Sequence, residues 1–179
     1  INTVVLGAGP IGNLVGQVLK SYGANVLITD LSDYRLEVAK QCGLESTSNA
    51  QFESLDAAVK RAFGDRGFDL AFECVGVEAT MTAAVEDINK GATIVVVGVF
   101  GDKPRINLGL LQDRELTITG TLMYQYADYE SAVQLLYAGS VVTKPMFSKH
   151  FSFNQYASAY HFIDVQGDKV MKVLIDLDE

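Results

Sequence analysis

Over its first two-thirds the chain alternates short apolar runs with amphipathic stretches. Thr3-Val4-Val5-Leu6 is a β-branched run stopped by Gly7, as expected of a strand buried on both faces of a parallel sheet. Ile11, Leu14, Val15, Val18, Leu19 and Tyr22 then recur at helical spacing, which predicts one apolar helix face ended by Gly23. Residues 25–29 read as a second strand, and Ser32 or Asp33 caps a helix running to about Cys42. A third strand near 45–49 carries little signal of its own. Leu55, Ala58, Val59, Ala62 and Phe63 mark the next helix, 68–74 the next strand, and Met81, Ala84, Val85 and Ile88 a further helix. The TIVVV run at 93–97 and the LTIT run at 116–119 complete the strands of this region.

Strands alternating with helices in this way imply right-handed crossovers and a doubly wound parallel sheet, an α/β fold covered on both faces. After Met123 the rhythm is lost. A helix at 128–137, a turn at Lys144 and Pro145, a strand at 147–151, a helix capped by Asn154 and a strand at 170–175 form an α+β tail. We therefore divide the chain into a doubly wound domain, 1–123, and a C-terminal segment, 124–179.

The chemistry is concentrated at the first strand-to-helix turn, Gly7-Ala8-Gly9-Pro10-Ile11-Gly12. A GxGxxG by itself means little, but this one follows a strand, opens a helix, and has an acid, Asp30, closing the next strand within the roughly 20 residues expected of a dinucleotide site. Gly7 permits the sharp turn, Gly9 lets backbone approach a pyrophosphate, and Gly12 lets helix and strand pack closely. Pro10 suits the first helical turn, where its missing N–H costs nothing. Asp30 can accept hydrogen bonds from ribose hydroxyls and repels a 2′-phosphate, so it favours NAD over NADP; Arg35 works against strictness, because a guanidinium there could tolerate that phosphate. The 73–76 and 97–99 turns fall at strand ends and are candidate walls of the same cleft.

Composition narrows the classes. The net charge of −8, with no cluster of Lys or Arg, argues against nucleic acid and anionic membrane as partners. No apolar run approaches the roughly 18 residues that span a bilayer. Cys42 and Cys74 form no CxxC pair, and His150 and His161 lack metal-ligand spacing, so no catalytic residue and no metal ligand is assigned. A cytoplasmic location is expected.

The VVLGAGPIGNLVGQVLKSYGA stretch, the D-x-S-x-x-R-L-x-x-A-K-x-x-G pattern from Asp30 to Gly43, FECVG, VVVGV and the late KPMFSKHF segment together resemble zinc-dependent medium-chain alcohol dehydrogenases, nearest the sorbitol, threonine and butanediol dehydrogenase branch. The resemblance implies that Gly7, Gly9, Pro10, Ile11, Gly12 and Asp30 hold NAD and that Arg35 lies beside the adenosine ribose. It implies that Val75 and Gly76 line the adenosine and ribose side, and that backbone of Val97, Val99, Thr121 and Met123 surrounds the nicotinamide. It also implies an alcohol or polyol substrate and a GroES-like domain bearing the catalytic zinc, none of whose ligands is found in this sequence. Since the chain starts at Ile1, without an initiating Met, we expect part of a longer protein, inactive alone. A homodimer or tetramer through the nucleotide domain is expected, with 104–108 as its edge strand. Two other readings stay open here: a free-standing dinucleotide-sensing module, and a zinc-free, NADPH-using relative of quinone oxidoreductases.

Overall fold

The computed structural model describes residues 1–177. Strands β1 (Asn2–Leu6), β2 (Asn25–Asp30), β3 (Thr47–Asn49), β4 (Leu70–Glu73), β5 (Thr93–Val96) and β6 (Thr117–Gly120) form one parallel sheet, ordered β3-β2-β1-β4-β5-β6. The order reverses between β1 and β4, and in such sheets ligands bind beyond the carboxyl ends of the strands at that reversal. Helices α1 (Pro10–Ser21), α2 (Asp33–Gln41), α3 (Leu55–Phe63) and α4 (Glu78–Asp87) make the crossovers, and the short α5 (Leu108–Asp113) precedes β6.

Period-two alternation sends successive strand residues to opposite faces. Val4, Leu6, Leu27, Ala71 and Ile94 pack on α3 and α4 through Val59, Phe63, Met81, Val85 and Ile88. Val5 and Ile28 face the other way, against Leu36, Ala39 and Leu44. Each fully buried Val, Leu or Ile here contributes roughly 1.5–3 kcal/mol. The poorly signalled β3 is held in place by pairing with β2 and by polar contacts: Arg61 Nη2 donates to the Thr47 carbonyl at 3.0 Å, and Ser48 Oγ donates to Glu53 at 2.7 Å. The Arg61 and Ser48 hydrogen bonds hold the Glu53 carboxyl down at about 2.

Three expectations need correction. The predicted apolar stripe of α1 meets the core only in part: Leu14, Val15 and Leu19 are half-buried against it, but the fully buried residues are Gly12, Asn13, Gly16 and Gln17, and Ile11 and Tyr22 are exposed. Small residues let α1 lie close: Leu44 Cδ1 sits 2.8 Å from where a Cβ on Gly16 would fall. Gln17 is buried because the C-terminal segment covers it, its amide bonding both the N–H (2.6 Å) and the carbonyl (3.0 Å) of Val142. Second, 104–108 is not an edge strand. Its residues up to Asn107 have no strand partner, Leu108 already starts α5, and β6 forms that edge of the sheet. Third, Asn154 caps no helix; a single 3-10 turn, Phe153–Gln155, delays the start of α7 (Tyr156–Gln166).

Beyond β6 come α6 (Tyr126–Tyr137), β7 (Phe147–Ser152), α7 and β8 (Lys172–Asp176), with β7 and β8 paired in a separate parallel sheet. This segment touches the larger sheet's helices where Met146 and Met171 pack on Val38 and Cys42. Helix α6 buries none of its residues, leaving Tyr126, Tyr129 and Tyr137 open. No helix of the described residues is long and apolar enough to cross a membrane.

Candidate functional site

The chain turns sharply at Gly7, with φ at +101°, a conformation in which a side chain is strained. Gly7 N donates to the Thr29 carbonyl at 2.8 Å, tying the turn to the end of β2. A Cβ on Gly12 would fall on the Gly7 carbonyl oxygen, so only glycine lets α1 start this close to the turn. Gly9 is the opposite case: a Cβ there would meet nothing within 4 Å. It leaves approach to the turn from outside unobstructed. The first intrahelical bond runs from Asn13 N to the Gly9 carbonyl at 2.9 Å, so the N–H groups ahead of it have no helical acceptor and carry the partial positive charge of the helix end. No acidic side chain occupies that first turn. An anion is the ligand such a turn accommodates.

Asp30 closes β2 beside this turn and is nearly buried, its side chain 10% exposed. One oxygen accepts from Ala8 N at 2.7 Å and the other from Ser32 N at 2.9 Å. The carboxylate therefore braces the glycine turn from within while keeping acceptor capacity, since an ionised carboxylate offers about four lone-pair sites. Arg35 lies behind it, with Nη1 4.0 Å from Asp30 Oδ2 and its buried Nε unpartnered.

The remaining predicted residues stand at the ends of the neighbouring strands. Val75 and Gly76 follow β4, Val97 and Val99 follow β5, and Thr121 and Met123 follow β6. Val75 leans on the glycine turn: its Cγ2 lies 2.7 Å from where a Cβ on Gly7 would be. Val99 and Met123 are 86% and 73% exposed, and Met123 holds a left-handed φ of +64°. All thirteen predicted positions thus lie at or just beyond the carboxyl end of the sheet.

Two features of the site were not predicted. Glu73, taken only as part of a strand-end wall, is wholly buried and organises the 73–76 turn. Leu122, Tyr124 and Tyr126 extend the predicted Met123 into a string of open apolar and aromatic side chains after β6, with Tyr124 and Tyr129 packed edge-to-face. The cysteine in the site is quiet. Burial, with the neighbouring Glu73 charge, pushes the Cys74 thiol up to about 12, so at neutral pH it supplies no thiolate. His150 pairs with Asp176 at 3.0 Å across β7 and β8, away from the large sheet.

The zinc-binding dehydrogenase family profile matches residues 10–138, a range that holds α1, the turns after β2, β4, β5 and β6, and α6. The chain belongs to that family. Over 179 residues it is 34% identical to sorbitol dehydrogenase 1 of Saccharomyces cerevisiae, an alignment covering 96% of this chain and 50% of the relative. An alcohol dehydrogenase from Thermus sp. ATN1 superposes with a TM-score of 0.87 at 27% identity, covering 98% of this chain and 51% of that one. A short chain alcohol dehydrogenase from E. coli CFT073, solved with NADH, matches at TM-score 0.87 and 24% identity, over 98% and 52%. The chain spans about half the length of the curated relatives it matches.

Proposed function

We propose that this chain is the NAD(H)-binding part of a zinc-dependent alcohol or polyol dehydrogenase, which oxidises a secondary alcohol to a ketone. The observation that carries the reading is the joint placement of the open glycine turn and Asp30, an anion site beside a carboxylate suited to ribose hydroxyls. The dinucleotide would lie with its pyrophosphate at the start of α1, its adenosine ribose at Asp30, and its other half over the ends of β4, β5 and β6; because β4 lies across β1 from β2, this moves Val75 and Gly76 off the adenosine side that the resemblance implies. Asp30 weighs against the NADPH-using alternative. Bound NAD supplies a hydride acceptor; what the chain contributes is binding, orientation and a wall against water.

Zinc is a different case. Among the described residues no group of three or more His, Cys, Asp or Glu side chains converges to hold a metal ion. The half-length match to polyol and alcohol dehydrogenases supports placing the metal and substrate pocket elsewhere in the protein. The chain alone is accordingly expected to bind NADH without turning over alcohols. The open edge of β6 is where we place a dimer contact.

A fluorescence titration tests the cofactor reading: NADH emission should rise and saturate as the chain is added, with no reduction of NAD on addition of sorbitol. Unchanged NADH emission and no heat of binding at millimolar NADH would remove it.

A further inference from the structure

Glu73 closes β4 at the point where strand order reverses, and it is 0% exposed. A carboxyl group so completely buried costs several kcal/mol unless its partners compensate. Here one oxygen takes all of them. Oε1 accepts from Val75 N and from Gly76 N, both at 2.9 Å, and the Thr80 hydroxyl lies 2.8 Å away with one proton to share between Glu73 and the Val77 carbonyl. Oε2 has no hydrogen-bond partner. It faces Gly98, where a Cβ would lie 2.6 Å from it.

The backbone of the same residue reaches across the crevice. The Glu73 carbonyl accepts from Val97 N at 2.9 Å and Gly98 N at 2.8 Å. Gly76 and Gly98 in turn touch backbone to backbone: a Cβ on Gly76 would overlap the Val99 carbonyl, and one on Gly98 would overlap Gly76 N. Glu73 thus holds the turn after β4 with its side chain and the turn after β5 with its main chain. Glycines on both sides allow the two turns to meet.

We propose that Glu73 is a positioning residue for the non-adenine half of the dinucleotide, fixing the joint surface formed by the 75–76 and 97–99 turns; this rests on the nucleotide-binding reading above. The adenosine half is held on the other side of β1, by Asp30 and the start of α1, so the two halves are separable by experiment. Glu73→Leu leaves the Val75 and Gly76 N–H groups without acceptors, whereas Glu73→Gln keeps an acceptor at the Oε1 position.

The test measures dissociation constants for NADH and for AMP on the chain, with NADH emission as a report on the nicotinamide. Glu73→Leu should weaken NADH by at least tenfold and blunt its emission change, while AMP weakens by less than threefold. Glu73→Gln should restore NADH to within threefold of the native value. Equal loss of AMP and NADH, or no loss of either, overturns the proposal. Should Glu73→Leu not fold, Gly98→Ala decides, because its Cβ wedges against Glu73 Oε2 and Gly76 N: a selective loss of NADH supports the proposal, and native NADH affinity overturns it. A native chain that binds neither ligand instead overturns the nucleotide-binding reading.

Discussion

Replacing Gly12 by alanine should cost about 3 kcal/mol of stability and abolish measurable NADH binding. The added Cβ lands on the Gly7 carbonyl oxygen and within 3.3 Å of Val5 Cγ1, both in rigid parts of the structure, so no flexible side chain can move aside. Either α1 lifts from the sheet or the Gly7 turn deforms. Overpacking of a tight site costs roughly 1–3 kcal/mol, and the upper end applies where backbone must shift. For a domain of this size about 3 kcal/mol lowers Tm by roughly 6–12 °C. The same displacement withdraws the N–H groups at the start of α1 from the anion they would face. Thermal unfolding followed by circular dichroism checks the first effect and NADH titration the second; a Tm within about 2 °C of the native value would contradict this account of Gly12. Alanine at Gly9, where a Cβ meets nothing, should leave Tm unchanged and weaken only the ligand.

Asp30→Asn is expected to invert cofactor preference with little loss of fold. The amide keeps an acceptor for Ala8 N, leaves Ser32 N without one at the start of α2, and removes the negative charge beside the ribose site. A hydrogen bond to a charged group contributes about 1.5–3 kcal/mol, so losing the charge should weaken NADH about tenfold. NADPH should tighten, because its 2′-phosphate no longer meets a carboxylate and finds Arg35, whose buried Nε has no partner. The ratio of the two dissociation constants should move by about a hundredfold, read by competitive titration at fixed ionic strength. An unchanged ratio would mean that Asp30 serves only to brace the turn.

These residues were legible in the sequence because the site is local. Gly7, Gly9, Gly12 and Asp30 sit in one βαβ unit; Gly7 and Gly12 meet a conformational or steric demand that few other residues satisfy, Asp30 a hydrogen-bonding one, and Gly9 only the open approach a ligand needs. The order of strands and helices through β5 was legible for a similar reason, since parallel strands buried on both faces read as apolar runs; the short α5 before β6 was not expected. What escaped was set by distant packing. The buried face of α1 carries Gly12 and Gly16, which have no side chain to register in a hydropathy pattern, and Gln17, which is buried only because Val142 returns to bond it. The 104–108 run has strand-like residues but no strand beside it, so its pattern had nothing to pair with. Glu73 was hidden by its type, because a carboxylate at a strand end ordinarily faces water. Its one available signal was position, directly after the apolar core of β4 and three residues before a glycine.

A dinucleotide bound as proposed lies across the carboxyl ends of β2, β1, β4 and β5, and a map of backbone amide shifts in an isotope-labelled sample as NADH is added tests this directly. The largest changes should fall on Ala8, Gly9, Ile11 and Gly12, with a second group at Val75, Gly76, Gly98 and Val99, and AMP should reproduce mainly the first group. Shifts concentrated instead at the opposite end of the sheet, around the recess lined by Lys20, Gly43 and Arg66, would contradict it.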